Sequence, residues 1–414
     1  MKIKTIIKAA FVNLKNNGTV TSDKKKIEET VSKYFSALFN GHHDRQGNDS
    51  GQPFIPDYSG LPDFLDNLGC LSTASQEKLG RELNYDEIKN IVKSECDHNK
   101  SPGLDGLPYE FYQVTWDIIG HDFADVLQVQ LKRFILIESD KHGVTRLTSK
   151  VTELRPITLI NCDYKILSKG FVKKLCPVMP EIIKSGQLCS VEEKNILFGI
   201  ANIISSVDYV NAQKVAAYMV SLDMFKAYDR VMLDYLVKVM KAMKFPHNFI
   251  NWVLMLHEGA TTCFLLSFLT EPIKVLFSIR QGDPLSMLLY IIYKEPLLLM
   301  INKQTKGLRI SSFVQKDEDF CDDLNFLSEC ENDLLVIEDV FVKFENISGA
   351  ILSRSSKSKI MGLGTWKTKT KWPLNWLQLK PELKVFGFQI TPVYKRTLDR
   401  CWEECYSGFV KTLM

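Results

Sequence analysis

Two apolar stretches of this chain meet carboxylates, and that placement limits its fold more than any other feature. Residues 216–223, Ala-Ala-Tyr-Met-Val-Ser-Leu-Asp, read as a short strand that closes on Asp223. Asp319-Phe320-Cys321-Asp322-Asp323 interrupts two short apolar runs and reads as a hairpin apex carrying Asp322 and Asp323. An unpaired carboxylate in such surroundings is costly to bury, and a bound cation removes that cost. The expected arrangement is one aspartate at a strand end facing an aspartate pair on a neighbouring hairpin. Asp-Asp dipeptides and strand-end aspartates are also common as turn and cap residues, so the case rests on their company.

The chain has 414 residues, enough for two or three domain-sized units or one large multi-lobed enzyme. With 45% hydrophobic and 24% charged residues it is an ordinary globular composition, which excludes wholesale disorder. The net charge is only +3, so any nucleic-acid contact has to come from a local basic patch. The ten cysteines form no Cys-x-x-Cys pair, and Cys401 and Cys405 lack a histidine at finger spacing. No structural zinc is expected, and reduced thiols point to an intracellular protein, nucleus and cytoplasm undistinguished. The N-terminal stretch has lysines without a sustained apolar segment, unlike a secretory signal. The most apolar run, Met287 to Met300, is broken by Lys294 and Glu295 and is too short to span a bilayer, so a soluble chain without membrane partners is expected.

Helical spacing of Ile27, Val31, Tyr34, Phe35 and Leu38 predicts a helix within 21–40, capped by Thr21 or Ser22. Residues 41–60, polar and rich in Gly and Pro, read as a linker inside an N-terminal helical extension over 1–84. Tyr85, Ile88, Ile91 and Val92 share a helical face, and Trp116 to Ile137 reads as a long amphipathic helix with Ile118, Phe123, Val126, Leu127, Val129 and Leu131 apolar. Val275 to Ile279 reads as a strand, and a helix is expected to begin at Pro284. The mixture of helices and short strands points to an α+β fold.

In order along the chain stand seven blocks that resemble the reverse transcriptases of non-LTR (LINE-type) retrotransposons. Ser101-Pro102-Gly103-Leu104-Asp105-Gly106-Leu107-Pro108 with Glu110-Phe111-Tyr112 is similar to the first block. Leu154-Arg155-Pro156-Ile157-Thr158-Leu159-Ile160-Asn161 with Asp163 to Lys169 is similar to the second. Ser221 to Val231 resembles motif A, Arg280-Gln281-Gly282-Asp283-Pro284-Leu285-Ser286 motif B, and Phe320-Cys321-Asp322-Asp323 motif C. Ser348-Gly349-Ala350 through Met361 resembles motif D, and Val385-Phe386-Gly387-Phe388 motif E. The resemblance runs from about residue 25 to the C-terminus.

It implies a right-hand polymerase: fingers over 85–215, a palm over 216–374 carrying motifs A to D, and motif E with the start of a thumb over 375–414. The implied reaction adds deoxynucleoside triphosphates to a DNA primer 3′-hydroxyl on an RNA template. Two magnesium ions, with manganese as substitute, would be held by Asp223, Asp322 and Asp323 and the Met224 carbonyl. Lys357 would be a catalytic proton donor to the leaving pyrophosphate. Lys150 and Arg155 would contact the triphosphate. Tyr228 would sit as the steric gate under the incoming sugar, and Gln281 and Gly282 would approach the template–nucleotide pair. Phe386, Gly387 and Phe388 would grip the primer.

Several positions depart from the family pattern. Cys321 replaces alanine in motif C, Met287 replaces proline after motif B, and the segment Arg146 to Pro156 is short. Glu192 and Glu193 add negative charge where a Pro-Gly-Arg turn is usual. An endonuclease module before the polymerase and a fuller thumb after it are expected in such proteins, and the chain reads as a fragment without them. The alternative reading is therefore a catalytically decayed retroelement fragment that acts at most as a nucleic-acid-binding protein. A group II intron maturase is a third, less well matched by the Arg280-to-Ser286 block.

Overall fold

A computed structural model of the chain describes residues 14–16, 19–21, 23–42, 51–146, 156–192, 194–266, 268–310, 313–320, 322–354 and 357–393, with isolated positions between 396 and 399. The chain forms two compact units that interleave in sequence. One takes the stretch up to Ile55, Cys70–Glu181 and Tyr228–Tyr293; the other takes Pro56–Gly69, Ile182–Ala227 and the chain from Lys294 on.

In the first unit, helix α1 (Lys24–Phe39) is capped by Asp23, whose side chain accepts the Lys25 N–H at 3.0 Å. The cap is therefore neither Thr21 nor Ser22. Its predicted apolar face is buried through Ile27, Val31, Phe35 and Leu38, and Phe35 stacks on Phe264 with ring centroids 4.2 Å apart. The carbonyl of Phe39 accepts the N–H groups of both Leu276 and Phe277. That contact corrects the expected strand at Val275 to Ile279: the strand occupies Ile273–Lys274, and the chain then turns away to satisfy the helix end. A four-stranded sheet runs in the order Ile157–Leu159, His142–Arg146, Thr261–Leu265, Ile273–Lys274, with the central pair parallel and the outer pairs antiparallel.

Helix α2 (Tyr109–Arg133) starts well before Trp116 and stops at Phe134, which takes a left-handed conformation. Trp116, Leu127 and Leu131 are buried, while Ile118, Val126 and Val129 point to solvent, so the helix carries apolar residues on two faces. The turn Tyr85–Asn90 opens on a capping box made by Asn84 and Glu87, and Ile88, Ile91 and Val92 are buried as expected. Helix α3 (Cys162–Leu175) stacks Phe171 flat on Trp252 at 5.5 Å. Helix α4 (Ser286–Gln304) begins two residues later than Pro284 and belongs to this unit up to Tyr293.

The second unit is built on a five-stranded sheet. Its strands are β1 (Ala216–Asp223), β2 (Asp317–Phe320), β3 (Asp323–Ser328), β4 (Lys359–Gly364) and β5 (Gln378–Leu379), in the order β2-β3-β1-β4-β5. The central strand β1 has the bounds expected from its sequence. It is antiparallel to both neighbours, and Ala217 to Val220 are buried without interruption, the pattern of a strand covered on both faces. The helix Ile196–Ala212 brings Ile203, Val207 and Val210 into one core with Ala217, Met219, Leu327, Met361 and Leu363. The outer edge of β2 is closed by residues 186–188, through Leu188 N–H to the Asp319 carbonyl and Asp319 N–H to the Gly186 carbonyl. The same core receives Leu383, Val385 and Ile390 from the hairpin Leu383–Val385/Phe388–Ile390. The two residues of its turn, Phe386 and Gly387, both have positive φ (51° and 89°), the backbone of a type I′ hairpin turn. No helix of the described residues is long and apolar enough to cross a membrane.

Leu363 is wholly buried on β4 opposite Ala217, so Leu363→Ala is expected to cost about 2–5 kcal/mol. It should appear as a lower urea midpoint at unchanged slope. Leu379→Ala, on a strand-edge residue 42% exposed, should stay within about 0.5 kcal/mol of the parent.

Candidate active site

The hairpin formed by β2 and β3 has Phe320 paired with Asp323, so its turn consists of Cys321, outside the described residues, and Asp322. β3 then pairs with β1 in a register that sets Asp323 directly opposite Asp223. Residues so placed have Cα atoms about 4.5–5.5 Å apart, and like charges in that relation repel. Asp322 is half-buried and Asp323 exposed. Asp223 is the enclosed member: its Oδ2 is shut off from solvent and accepts no hydrogen bond. Lys357 Nζ lies 3.5 Å from that oxygen on a side chain that is 65% exposed.

The backbone around Asp223 is pinned by the segment that precedes β4. The Asp223 carbonyl accepts the Ser353 N–H at 2.8 Å, and the Asp223 N–H donates to Ser358 Oγ, which itself donates to the Ser353 carbonyl. Met224 is buried, bridges to Leu352, and is followed by Phe225 N–H donating to the Ile351 carbonyl. Among the described residues no three His, Cys, Asp or Glu side chains converge closely enough to hold an ion by themselves. The donor set is nevertheless one that suits a hard divalent cation. It offers carboxylate oxygens from two adjacent strands, one of them buried without a hydrogen-bond partner.

Tyr228, Gln281 and Gly282 fall in the first unit. Tyr228 is half-buried, its carbonyl accepts the Ile279 N–H, and its ring stacks on Tyr290 at 5.0 Å. Gln281 and Gly282 form a turn against the strand Ile157–Leu159. The Thr158 N–H donates to the Gln281 carbonyl at 2.8 Å, and a Cβ at residue 282 (φ +118°) would collide with the Thr158 carbonyl oxygen. Only glycine fits there. Asp283 anchors the turn from beneath, accepting from Tyr164 Oη, Ser168 Oγ and the Leu285 N–H. Arg280 donates to the carbonyls of Asp140 and Lys141 and lies over the Tyr164 ring. His257 is buried 3.7 Å from Asp283. Burial pushes its pKa down to about 4, so it is neutral at physiological pH.

A narrow cleft lies beside this turn, lined among others by Thr158, Asp229, Arg280 and Gln281. Phe386, Gly387 and Phe388 occupy the type I′ hairpin described above. Lys150 and Arg155 lie outside the described residues.

Residues 140–390 match the family described as reverse transcriptase (RNA-dependent DNA polymerase), well over half of the chain. The chain belongs to the reverse transcriptase family. Membership implies, in general terms, a divalent-cation-dependent polymerase with a nucleic-acid template and nucleotide substrates, and the mixed helices and sheets are those of the expected α+β class. Among curated relatives, the transposon TX1 uncharacterized 149 kDa protein of Xenopus laevis is 30% identical over 299 residues, 70% of this chain and 22% of that protein. The retrovirus-related Pol polyprotein from type-2 retrotransposable element R2DM of Drosophila melanogaster is 26% identical over 139 residues, 33% of this chain and 13% of that protein. Both are mobile-element proteins, in agreement with the LINE-type motifs, and the chain spans less than a quarter of either. Among solved structures, a telomerase of Candida tropicalis in complex with a fragment of telomeric RNA gives a TM-score of 0.44 at 13% identity, over 66% of this chain and 48% of that chain.

The reverse transcriptase motifs pointed to Asp223, Asp322 and Asp323 but not to their supports. Ser353 and Ser358, which pin motif A, and Tyr164, Ser168 and Thr158, which hold motif B, are distant in sequence from what they hold. A further feature with no sequence signal is the carboxyl pair Asp140 and Asp163. Asp140 is 1% exposed, and burial followed by the charge of Asp163 pushes its pKa up to about 8, with a hydrogen bond between the two carboxyls. A carboxyl with a raised folded-state pKa binds more protons folded than unfolded, so stability falls as pH rises from about 4 to about 8 and is level above that. Asp140→Asn, a neutral stand-in for the protonated form, is expected to match the parent near pH 4 and to exceed it increasingly up to pH 8. Urea midpoints at pH 5, 7 and 9 check this; a difference that does not grow with pH would show that the Asp140 pKa is not raised.

Proposed function

We propose that the chain is the RNA-directed DNA polymerase core of a non-LTR retrotransposon, adding deoxynucleotides to a primer 3′-hydroxyl with two magnesium ions. The observation that carries this reading is the register that opposes Asp223 to Asp323 while leaving Asp223 Oδ2 buried without a hydrogen-bond partner. Asp223, Asp322 and Asp323, with the Met224 carbonyl, would hold the cations. When bound, such ions lower the pKa of the attacking hydroxyl and balance the charge on the transferring phosphate.

The chain's own residues supply position and proton traffic. The rigid mooring of Asp223 to Ser353 and Ser358 holds its carboxylate at the strand end. Lys357, exposed and close to Asp223, has the freedom to swing toward a departing pyrophosphate as its proton donor. Tyr228 acts as the sugar gate. The turn at Gln281 and Gly282 presents bare backbone to the nascent pair, with Lys150 and Arg155 on the triphosphate. Phe386, Gly387 and Phe388 offer a tight hairpin tip to the primer strand.

Purified protein with magnesium should extend oligo(dT) on poly(rA). Asp223→Asn and the double variant Asp322→Ala, Asp323→Ala should each lower extension by more than about 10²-fold while leaving duplex binding within a few-fold. Duplex binding with no extension by the parent would discard the enzymatic reading and leave a nucleic-acid-binding fragment.

A further inference from the structure

The gate proposed above has a second layer. Tyr228 is only half-buried, and a half-buried ring on a short turn has room to change rotamer. A gate rejects a sugar by one steric contact, so its selectivity depends on the ring staying in place when the extra hydroxyl presses on it. Here the Tyr228 ring lies nearly parallel to Tyr290, with centroids 5.0 Å apart and planes at 23°. Tyr290 in turn stacks on Tyr293 at 6.0 Å and 25°, and Tyr293 meets Tyr235 edge-on at 5.1 Å. Tyr290 and Tyr293 are each 1% exposed and Tyr235 is fully buried, so the column behind the gate has no open space into which to retreat.

Tyr290 and Tyr293 are three residues apart on α4, which places them on one face of the helix that follows motif B. The carbonyl of Tyr228 is tied to Ile279, just before the same motif. Ring and backbone of the gate are thus both referred to the motif B segment.

Resting on the reading of Tyr228 as the sugar gate, we infer that Tyr290 is a specificity-determining positioning residue, whose ring backs Tyr228 and sets how strongly ribonucleotides are excluded. It touches neither substrate nor cation and acts through the gate. A flat ring is what the position needs. Leucine or methionine would fill the volume without offering a parallel face.

The test is the ratio of kcat/KM for a deoxynucleoside triphosphate to that for the matching ribonucleoside triphosphate, measured on one template–primer. The ratio is independent of the fraction of active enzyme, so a general loss of stability does not move it. Tyr228→Ala should abolish most of the discrimination. Tyr290→Leu should reduce it by about 3- to 10-fold, the range expected from losing one aromatic stack, while Tyr290→Phe should retain it. If Tyr290→Leu does not fold, Tyr290→Met carries the same expectation. A ratio within two-fold of the parent in Tyr290→Leu or Tyr290→Met, alongside a collapsed ratio in Tyr228→Ala, overturns the role of Tyr290 and leaves the gate standing. An unchanged ratio in Tyr228→Ala overturns the gate itself and the inference with it.

Discussion

Two carboxylates set against each other on adjacent strands, Asp223 and Asp323, are the constraint around which the second unit is organised. The repulsion is imposed by hydrogen-bond register, so neither residue can withdraw without shifting a whole strand and turning its apolar side chains to the wrong face. What keeps the register is the apolar material behind it: Val220 lies between Phe326 and Ile360, and Met219 between Leu327 and Met361. The sheet's buried interior thus holds its own charged end in place. Loop residues complete the restraint, since both backbone groups of Asp223 are engaged by Ser353 and Ser358.

Motif B is restrained by a different means. Its turn has no sheet of its own and is fixed by polar contacts to buried partners. Asp283 is gripped by Tyr164 and Ser168 of α3, Arg280 by the carbonyls of Asp140 and Lys141, and the Gln281 carbonyl by Thr158. Such a network is stabilising only if every member is satisfied, and losing one partner strands a buried charge. The arrangement therefore trades tolerance to mutation for a fixed backbone at Gln281 and Gly282. Gly282 is the tightest point, because no side chain fits against the Thr158 carbonyl.

Elements whose signal is local were legible in the sequence. The run 216–223 is a strand with its predicted bounds, and the hairpin apex at Asp322 and Asp323 follows from charged residues breaking an apolar pattern. The helix containing Ile27, Val31 and Phe35 was also plain, but not its cap. Thr21, Ser22 and Asp23 are all good caps, and local preference does not choose among them. Val275 to Ile279 has strand-like composition, yet two of its N–H groups go to the Phe39 carbonyl instead of a ladder, a contact more than two hundred residues away in sequence. Ile118, Val126 and Val129 look like core on composition and face solvent. The partners of Asp283 were invisible for the same reason: Tyr164 lies 119 residues away and carries no sign of what it will hold.

Among the described residues, two other carboxylate pairs can be set beside Asp223 and Asp323. Asp140 and Asp163 hydrogen-bond to each other, and burial, followed by the charge of Asp163, raises the pKa of Asp140. Asp317 and Asp319 do the same beneath motif C. Burial raises Asp319 well above the ordinary carboxylate range, Asp317 adds to the shift, and Lys294 opposes it. In each pair a neighbouring amide donates to one carboxyl: the Asn161 side chain to Asp140 and the Asn325 backbone N–H to Asp319 Oδ1. Asp223 has no comparable arrangement at Oδ2, which is enclosed, unbonded and 3.5 Å from one exposed lysine. Other buried carboxylate oxygens, Asp319 Oδ2 and Glu345 Oε2 among them, also accept no hydrogen bond, so what sets Asp223 apart is its place at a strand end directly opposite Asp323. That placement, more than the presence of three aspartates, is what the proposed cation site rests on.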